Sequence, residues 1–244
     1  MNKREPLMSM EYFADMIKYM QSVPEKFNQI IARPETTETH KKRLLYSLFQ
    51  DSYELLIAKY SAGYPVSELT SDFPEIILRR EHYIQFIGRV GNDFSSIDDY
   101  CQSLWILSLA ILLDVDDALF ARTLACIGNE GRDALFEQMA ATRVSNRPNA
   151  SAVIFPSPFQ TLYLAITAEV NERPGFLKKY LSLWYPAMGK SGTYWHENHK
   201  GPEGGGFFGY WSLEAAALVK AFSIDDSTFR EARYYPADLI RYQK

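Results

Sequence analysis

The sequence predicts an all-α protein, an irregular multi-helix array of two packed helical layers or subdomains. Three observations carry this. Apolar residues recur at helical spacing through almost all of the 244 residues. No strict apolar–polar alternation runs beyond a few residues, and no Asn-Gly or Asp-Gly pair marks a hairpin. Acids, prolines and glycines sit where helices should start and stop. With 47% hydrophobic and 23% charged residues, the chain is globular and long enough for one large domain or two small ones packed together.

The clearest helix spans 38–62, where Leu44, Leu45, Leu48, Ser52, Leu55 and Leu56 share one face and Gly63 suits a left-handed terminator. A second is expected to start at S-D-F-P-E, 71–75, with Asp72 as cap and Pro74 in the first turn, and to run to Ile87. Ile97 to Leu113 is the central helix. Its near-apolar run Leu104 to Leu113 is too short for a membrane, which needs about 20 residues, so it is read as buried on all sides. Further helices are expected over 116–126, 130–142, 157–170, 174–188 and 209–222. His40 and His82 fall in helical patterns as surface or boundary residues. Cys101 and Cys126 lie in apolar helical patterns and read as reduced core thiols.

One internal echo stands out. L-L-D-V-D-D-A-L-F-A-R at 112–122 resembles A-F-S-I-D-D-S-T-F-R-E at 221–231. In each, a helix ends, Val115 or Ile224 precedes two Asp, and Phe120 or Phe229 follows. This predicts a helix–turn–helix corner in which an Asp caps the new helix and the Phe packs inside.

Charge is uneven although the formal net charge is only −4. Residues 91–141 hold nine acids and two bases, a net of −7; residues 142–195 hold six bases and two acids, a net of +4. Acids at helix N-termini stabilise them, which accounts for many of these. The remainder can form an acidic face for a basic partner, with Asp114, Asp116, Asp117, Glu130 and Asp133 as its candidates. No basic excess suggests direct nucleic-acid binding. The start, M-N-K-R-E-P-L-M, lacks the apolar stretch of a secretory signal, which predicts a cytoplasmic protein with no membrane association.

Several motifs fail on inspection. W-Y-P-A-M-G-K-S at 184–191 has Trp184 where a phosphate-binding loop needs Gly, and a helix precedes it. H-E-N-H at 196–199 spaces His196 and His199 three apart instead of four, with helix-breaking Gly201 and Pro202 beyond. Glu197 and Glu203 are conceivable companions in a metal-dependent hydrolase, but no nucleophile elbow and no Ser/His/Asp or Cys/His set accompanies them. No cofactor is expected. The segment K-G-P-E-G-G-G-F-F-G-Y-W at 200–211 places five glycines within nine residues. No Lys-Ser or Lys-Thr follows, so it is not a phosphate cradle; Phe207 and Phe208 follow instead.

That segment also carries a family resemblance. Lys200-Gly201, Gly209-Tyr210-Trp211, Glu214 to Ala217, Asp225-Asp226 and Tyr234 to Leu239 resemble, in order, the C-terminal domain of PoNi-like immunity proteins. Y-S-A-G-Y-P-V-S-E-L at 60–69 resembles the family's N-terminal domain. The triple glycine 204–206 departs from the expected insert. The resemblance implies a helical N-terminal domain over 1–127 and a C-terminal one over 128–244, packed as one unit. It implies a non-enzymatic protein that binds and neutralises a PoNe-type DNase toxin delivered by a secretion system, type VI among them. An acidic surface would compete with DNA for the toxin's basic face. Tyr210, Trp211, Asp225, Asp226, Tyr235 and Asp238 join His196, Glu197 and Glu203 as candidates for partner contact, although such motif residues also serve a scaffold. Trp211 is expected to pack in the core. The competing readings are a helical adaptor and the metal-dependent hydrolase.

Overall fold

The computed structural model describes residues 2–89, 94–201 and 206–242. Ten α-helices and one 3-10 turn occur among them, and no strand. The all-α expectation therefore holds. The chain forms two compact units, Met1–Val90 with Asn198–Tyr210, and Gly91–Glu197 with Trp211–Lys244. Each is discontinuous with respect to a linear division at 127/128.

The first unit contains α1 (Met10–Ile31), α2 (Glu38–Ala62) and α3 (Val66–Ile87). Ser9 and Thr37 cap α1 and α2 by accepting the N–H of Tyr12 and His40. Gly63 ends α2 at φ 96°, and a Cβ there would stand 2.3 Å from the Asn2 carbonyl oxygen, so only glycine fits. α3 starts at Val66 after Pro65, earlier than expected. Asp72 does not cap it. Its carboxylate lies mid-helix and pairs with Lys59 at 2.6 Å. Phe13, Phe49, Tyr53, Leu69 and Phe73 fill the core.

The glycine-rich segment completes this unit. Phe207 and Phe208 are buried at 1% and 4% exposure. The Tyr12 hydroxyl donates to Phe207 O and accepts from Phe207 N, both at 3.1 Å, and the Ser61 hydroxyl donates to Phe208 O. Gly209 takes φ 114°, which only glycine adopts readily. Its role is backbone geometry: it turns a segment whose two Phe plug a core.

The second unit contains α4 (Ile97–Leu112), α5 (Asp117–Ile127), α6 (Ala134–Ala141), α7 (Pro156–Thr167), α8 (Arg173–Lys190), α9 (Leu213–Phe222) and α10 (Ala237–Ile240). α4 is buried at every position from Tyr100 to Leu112, as its apolar run predicts. α9 packs beside α4, and Ala215, Ala216 and Ala217, all fully buried, let the backbones approach. The two helices run in one direction: Glu214 acts electrostatically on Tyr100 and Cys101 at their starts, and Lys220 donates to Leu112 O at their ends. Trp195 packs against Trp105 and Trp184, with ring centroids 5.6 and 5.3 Å away. Cys101 and Cys126 are buried and are not joined in a disulfide.

Candidate functional site

The two echoed corners both lie in the second unit, where α4 and α9 end. At the first, Asp114 turns the chain at φ 51°, the buried Val115 returns its N–H to Ala110 O, and Asp116 caps α5 through Leu119 N at 2.8 Å. At the second, Ser223 turns at φ 52°, the buried Ile224 returns its N–H to Val219 O, and Asp225 accepts from Ser227 N at 3.0 Å. Phe120 and Phe229 pack inward at 1% and 4% exposure. Each second Asp takes an arginine: Arg143 pairs with Asp117, and Arg230 with Asp226. Arg143 also donates to Val115 O at 2.6 Å and covers the Phe120 ring.

The corners differ afterwards. Asp116 reaches three residues on and opens an eleven-residue helix. Asp225 bonds two residues on, to both the N–H and the hydroxyl of Ser227, and turns follow instead of the expected helix. The local Asx turn competes with a helix start and prevails.

Lys220 joins the corners. Its ammonium donates to Leu112 O at 2.7 Å and to Tyr242 O at 2.8 Å, satisfying a carbonyl that the end of α4 leaves open. Burial pushes the Lys220 ammonium below its usual range, and Asp114 pulls the other way. Around it lies a concavity of about 760 Å³ lined by Asp114, Ser223, Asp225, Asp226, Arg230 and Arg241 among others. The structure thus brings Asp114, Asp225 and Asp226 to one place, with Asp116 and Asp117 next in the chain. Asp114, Asp116, Asp117 and Asp225 are exposed. Hydrogen bonds from Ser227 hold the Asp225 carboxyl below the usual carboxylate range.

Other acids of the −7 segment face elsewhere or are already engaged. Asp133 is fully buried: it caps α6 through Leu135 and Phe136 N–H and also accepts from Ile154 N and the Tyr100 hydroxyl. It presents no surface to a partner, because four donors enclose it. Glu130 and Glu137 share Arg147 at 3.1 and 2.7 Å. Asp98 accepts from Tyr194 N.

The H-E-N-H residues divide between the units. The His196 ring lies against Tyr185, centroids 4.3 Å apart, in the second; His199 Nδ1 is 2.8 Å from the Tyr210 hydroxyl in the first. Glu197 is exposed at φ 68°, and Glu203 lies outside the described residues. Among the described residues, no group of three or more His, Cys, Asp or Glu is placed to hold a metal ion. Tyr210 is buried, and its N–H donates to Glu5 Oε2. Trp211 is partly exposed and does not pack in the core as expected; Trp105, Trp184 and Trp195 fill the core of its unit. Tyr235 is buried with its hydroxyl toward Asp226, while Asp238 is exposed in the first turn of α10.

Sequence reasoning missed Glu214 as a centre of the second unit. It is 1% exposed, and Oε1 accepts from Tyr180, Trp184 and Ser212 at 2.7, 2.6 and 2.8 Å. A lone acid opening the Ala-rich run 215–217 was the available signal.

Comparison with known proteins gives three findings. The profile described as "PoNe immunity protein (PoNi), N-terminal" matches residues 4–125, and "PoNe immunity proteins (PoNi), C-terminal" matches 131–239. No curated protein matches. Among solved structures, the crystal structure of protein PA2201 from Pseudomonas aeruginosa is similar, with TM-score 0.76 and 17% identity over 99% of this chain and 91% of that one. At that identity the likeness speaks for the fold.

Proposed function

The chain belongs to the PoNe immunity protein (PoNi) family, and from that premise we propose that it neutralises a cognate DNase toxin by binding it through the paired corners. Family membership carries the coarse role, immunity to a toxin. The observation that supports the finer reading is that the exposed Asp114 and Asp225 line one concavity where α4 and α9 end, with the exposed Asp116 two residues beyond Asp114. A DNase must carry basic surface to hold a phosphate backbone. Exposed carboxylates on the two corners compete for that surface and speed association at low salt. The protein acts by occlusion, without chemistry of its own, in the cytoplasm where the toxin would meet DNA. No helix among the described residues is long and apolar enough to cross a membrane.

Co-expression with the toxin encoded beside it is the test. Growth rescue, intact DNA and a co-purified complex are expected. Charge reversal of Asp114, Asp116 and Asp225 together should slow association and flatten its salt dependence. A complex indifferent to salt and to that reversal would remove the electrostatic part. A folded chain that leaves the toxin fully active would remove the whole reading.

A further inference from the structure

A cavity of about 230 Å³ opens in the first unit, lined by all three of its long helices. Met20 and Pro24 of α1 and Leu55 and Leu56 of α2 give it apolar walls. Its charged groups are Asp51 and Lys59 of α2 with Asp72, Glu75 and Arg79 of α3; α1 adds only the neutral Gln21.

Both cations are already committed. Lys59 Nζ meets Asp72 at 2.6 Å, and Arg79 Nε meets Glu75 at 2.7 Å while its guanidinium also donates to Leu48 O. Asp51 is left over. It is half-buried and, among the described residues, accepts no hydrogen bond and forms no ion pair. Burial lifts its carboxyl to about 6, with Arg79 pulling down, so it is charged at neutral pH. A carboxylate partly removed from water without a donor is unfavourable unless something else supplies one.

The shape says what would. A flexible aliphatic stem ending in a cation suits apolar walls leading to a carboxylate. The volume is below that of pockets that take drug-sized ligands, about 300 Å³ and up, so one side chain fits. Three carboxylates against two cations disfavour an anion.

We propose that this cavity is a socket for one lysine or arginine side chain of a protein partner, with the head on Asp51 and the stem along Leu55, Leu56 and Met20. That the partner is the toxin rests on the immunity reading, since a DNA-binding surface is rich in both residues. The socket itself does not.

The first arm titrates the ¹⁵N-labelled full chain with n-butylammonium and n-butylguanidinium, with n-butanol as neutral control. Saturable amide shifts confined to the cavity helices are expected with the cations only. Asp51→Asn, nearly isosteric, should weaken them about tenfold or more. Lowering the pH from about 7.5 to about 5 should weaken them too, as Asp51 gains its proton. Equal shifts with butanol, no saturation, or an unchanged Asp51→Asn response would overturn the socket. The second arm measures toxin affinity. A loss of about tenfold or more in Asp51→Asn supports a partner side chain; unchanged affinity beside a working cation site overturns that source and leaves a free amine. If the wild-type chain binds no toxin, the immunity reading fails, and the first arm still decides the socket.

Discussion

Asp114 and Ser223 take nearly the same left-handed φ, 51° and 52°, each two residues before an Asp-Asp pair. Each therefore reverses the chain so that the next apolar residue, Val115 or Ile224, returns its N–H to the helix just ended. A side chain in this region costs roughly 1–2 kcal/mol, and glycine relieves that at some loss of unfolded-state entropy.

Asp114→Gly and Ser223→Gly should each leave stability unchanged or raise it by up to about 1 kcal/mol in urea denaturation. The pair also separates scaffold from interface. Asp114→Gly removes an exposed charge and should weaken toxin binding; Ser223→Gly removes none and should leave it alone. Equal effects on binding would take Asp114 out of the contact.

Glu214 allows a sharper test. Burial pushes its carboxyl up, and the donors from Tyr180, Ser212 and Trp184 only partly oppose this. As pH rises, the unfolded chain loses the proton first, so the folded state binds more protons. Stability therefore falls from the ordinary glutamate range up to the elevated value. Glu214→Gln keeps the acceptor and should flatten that slope while staying within about 1 kcal/mol of wild type at low pH. Glu214→Ala strands a tyrosine hydroxyl, a serine hydroxyl and an indole N–H and should lose about 3 kcal/mol or more. Chemical denaturation across pH measures both.

Much of this scaffold is legible in the sequence wherever one residue acts through its own backbone neighbourhood. Gly63 ends α2, Asp116 caps α5, and the run Leu104 to Leu113 marks the buried helix. α1 is marked in the same way, by Phe13, Met16, Ile17, Met20 and Val23 at helical spacing, and it continues through Pro24. Asp72 misled because its partner, Lys59, lies on the preceding helix. The site was harder for the same reason. Counting acids cannot distinguish Asp114, which faces water, from Asp133, which four donors enclose. Asp51 carries no local signal, because its surroundings come from three helices.

Asp51 should also reveal itself through stability. Its folded carboxyl keeps the proton to about 6, whereas the unfolded chain releases it in the ordinary aspartate range. Between those values stability falls as pH rises, and it stays lower above them. Asp51→Asn removes the loss. Allowing for solvent screening at a half-buried site, the gain above about pH 6 should be ~1–2 kcal/mol, vanishing below about pH 4. A variant that gains stability while losing cation binding is the pattern of a group kept for contact. A destabilised variant at neutral pH would mean that Asp51 holds the fold together.

Tyr210 and Trp211 are adjacent and aromatic, but they end one compact unit and begin the other, and their surroundings differ. Tyr210 is 2% exposed, packs on Phe207 and is tied to Glu5 and His199. Tyr210→Ala should cost about 3–5 kcal/mol. Trp211 is partly exposed, so its truncation removes less buried surface, about 1–2 kcal/mol. Large aromatics with one face open are frequent anchors in interfaces. Trp211→Ala should therefore melt close to wild type yet bind toxin markedly less well, while Tyr210→Ala should lose affinity only in proportion to the fraction unfolded. Calorimetric melting beside equilibrium binding separates the two. Wild-type toxin affinity in a folded Trp211→Ala chain would return Trp211 to the scaffold and leave the exposed aspartates of the paired corners as the contact.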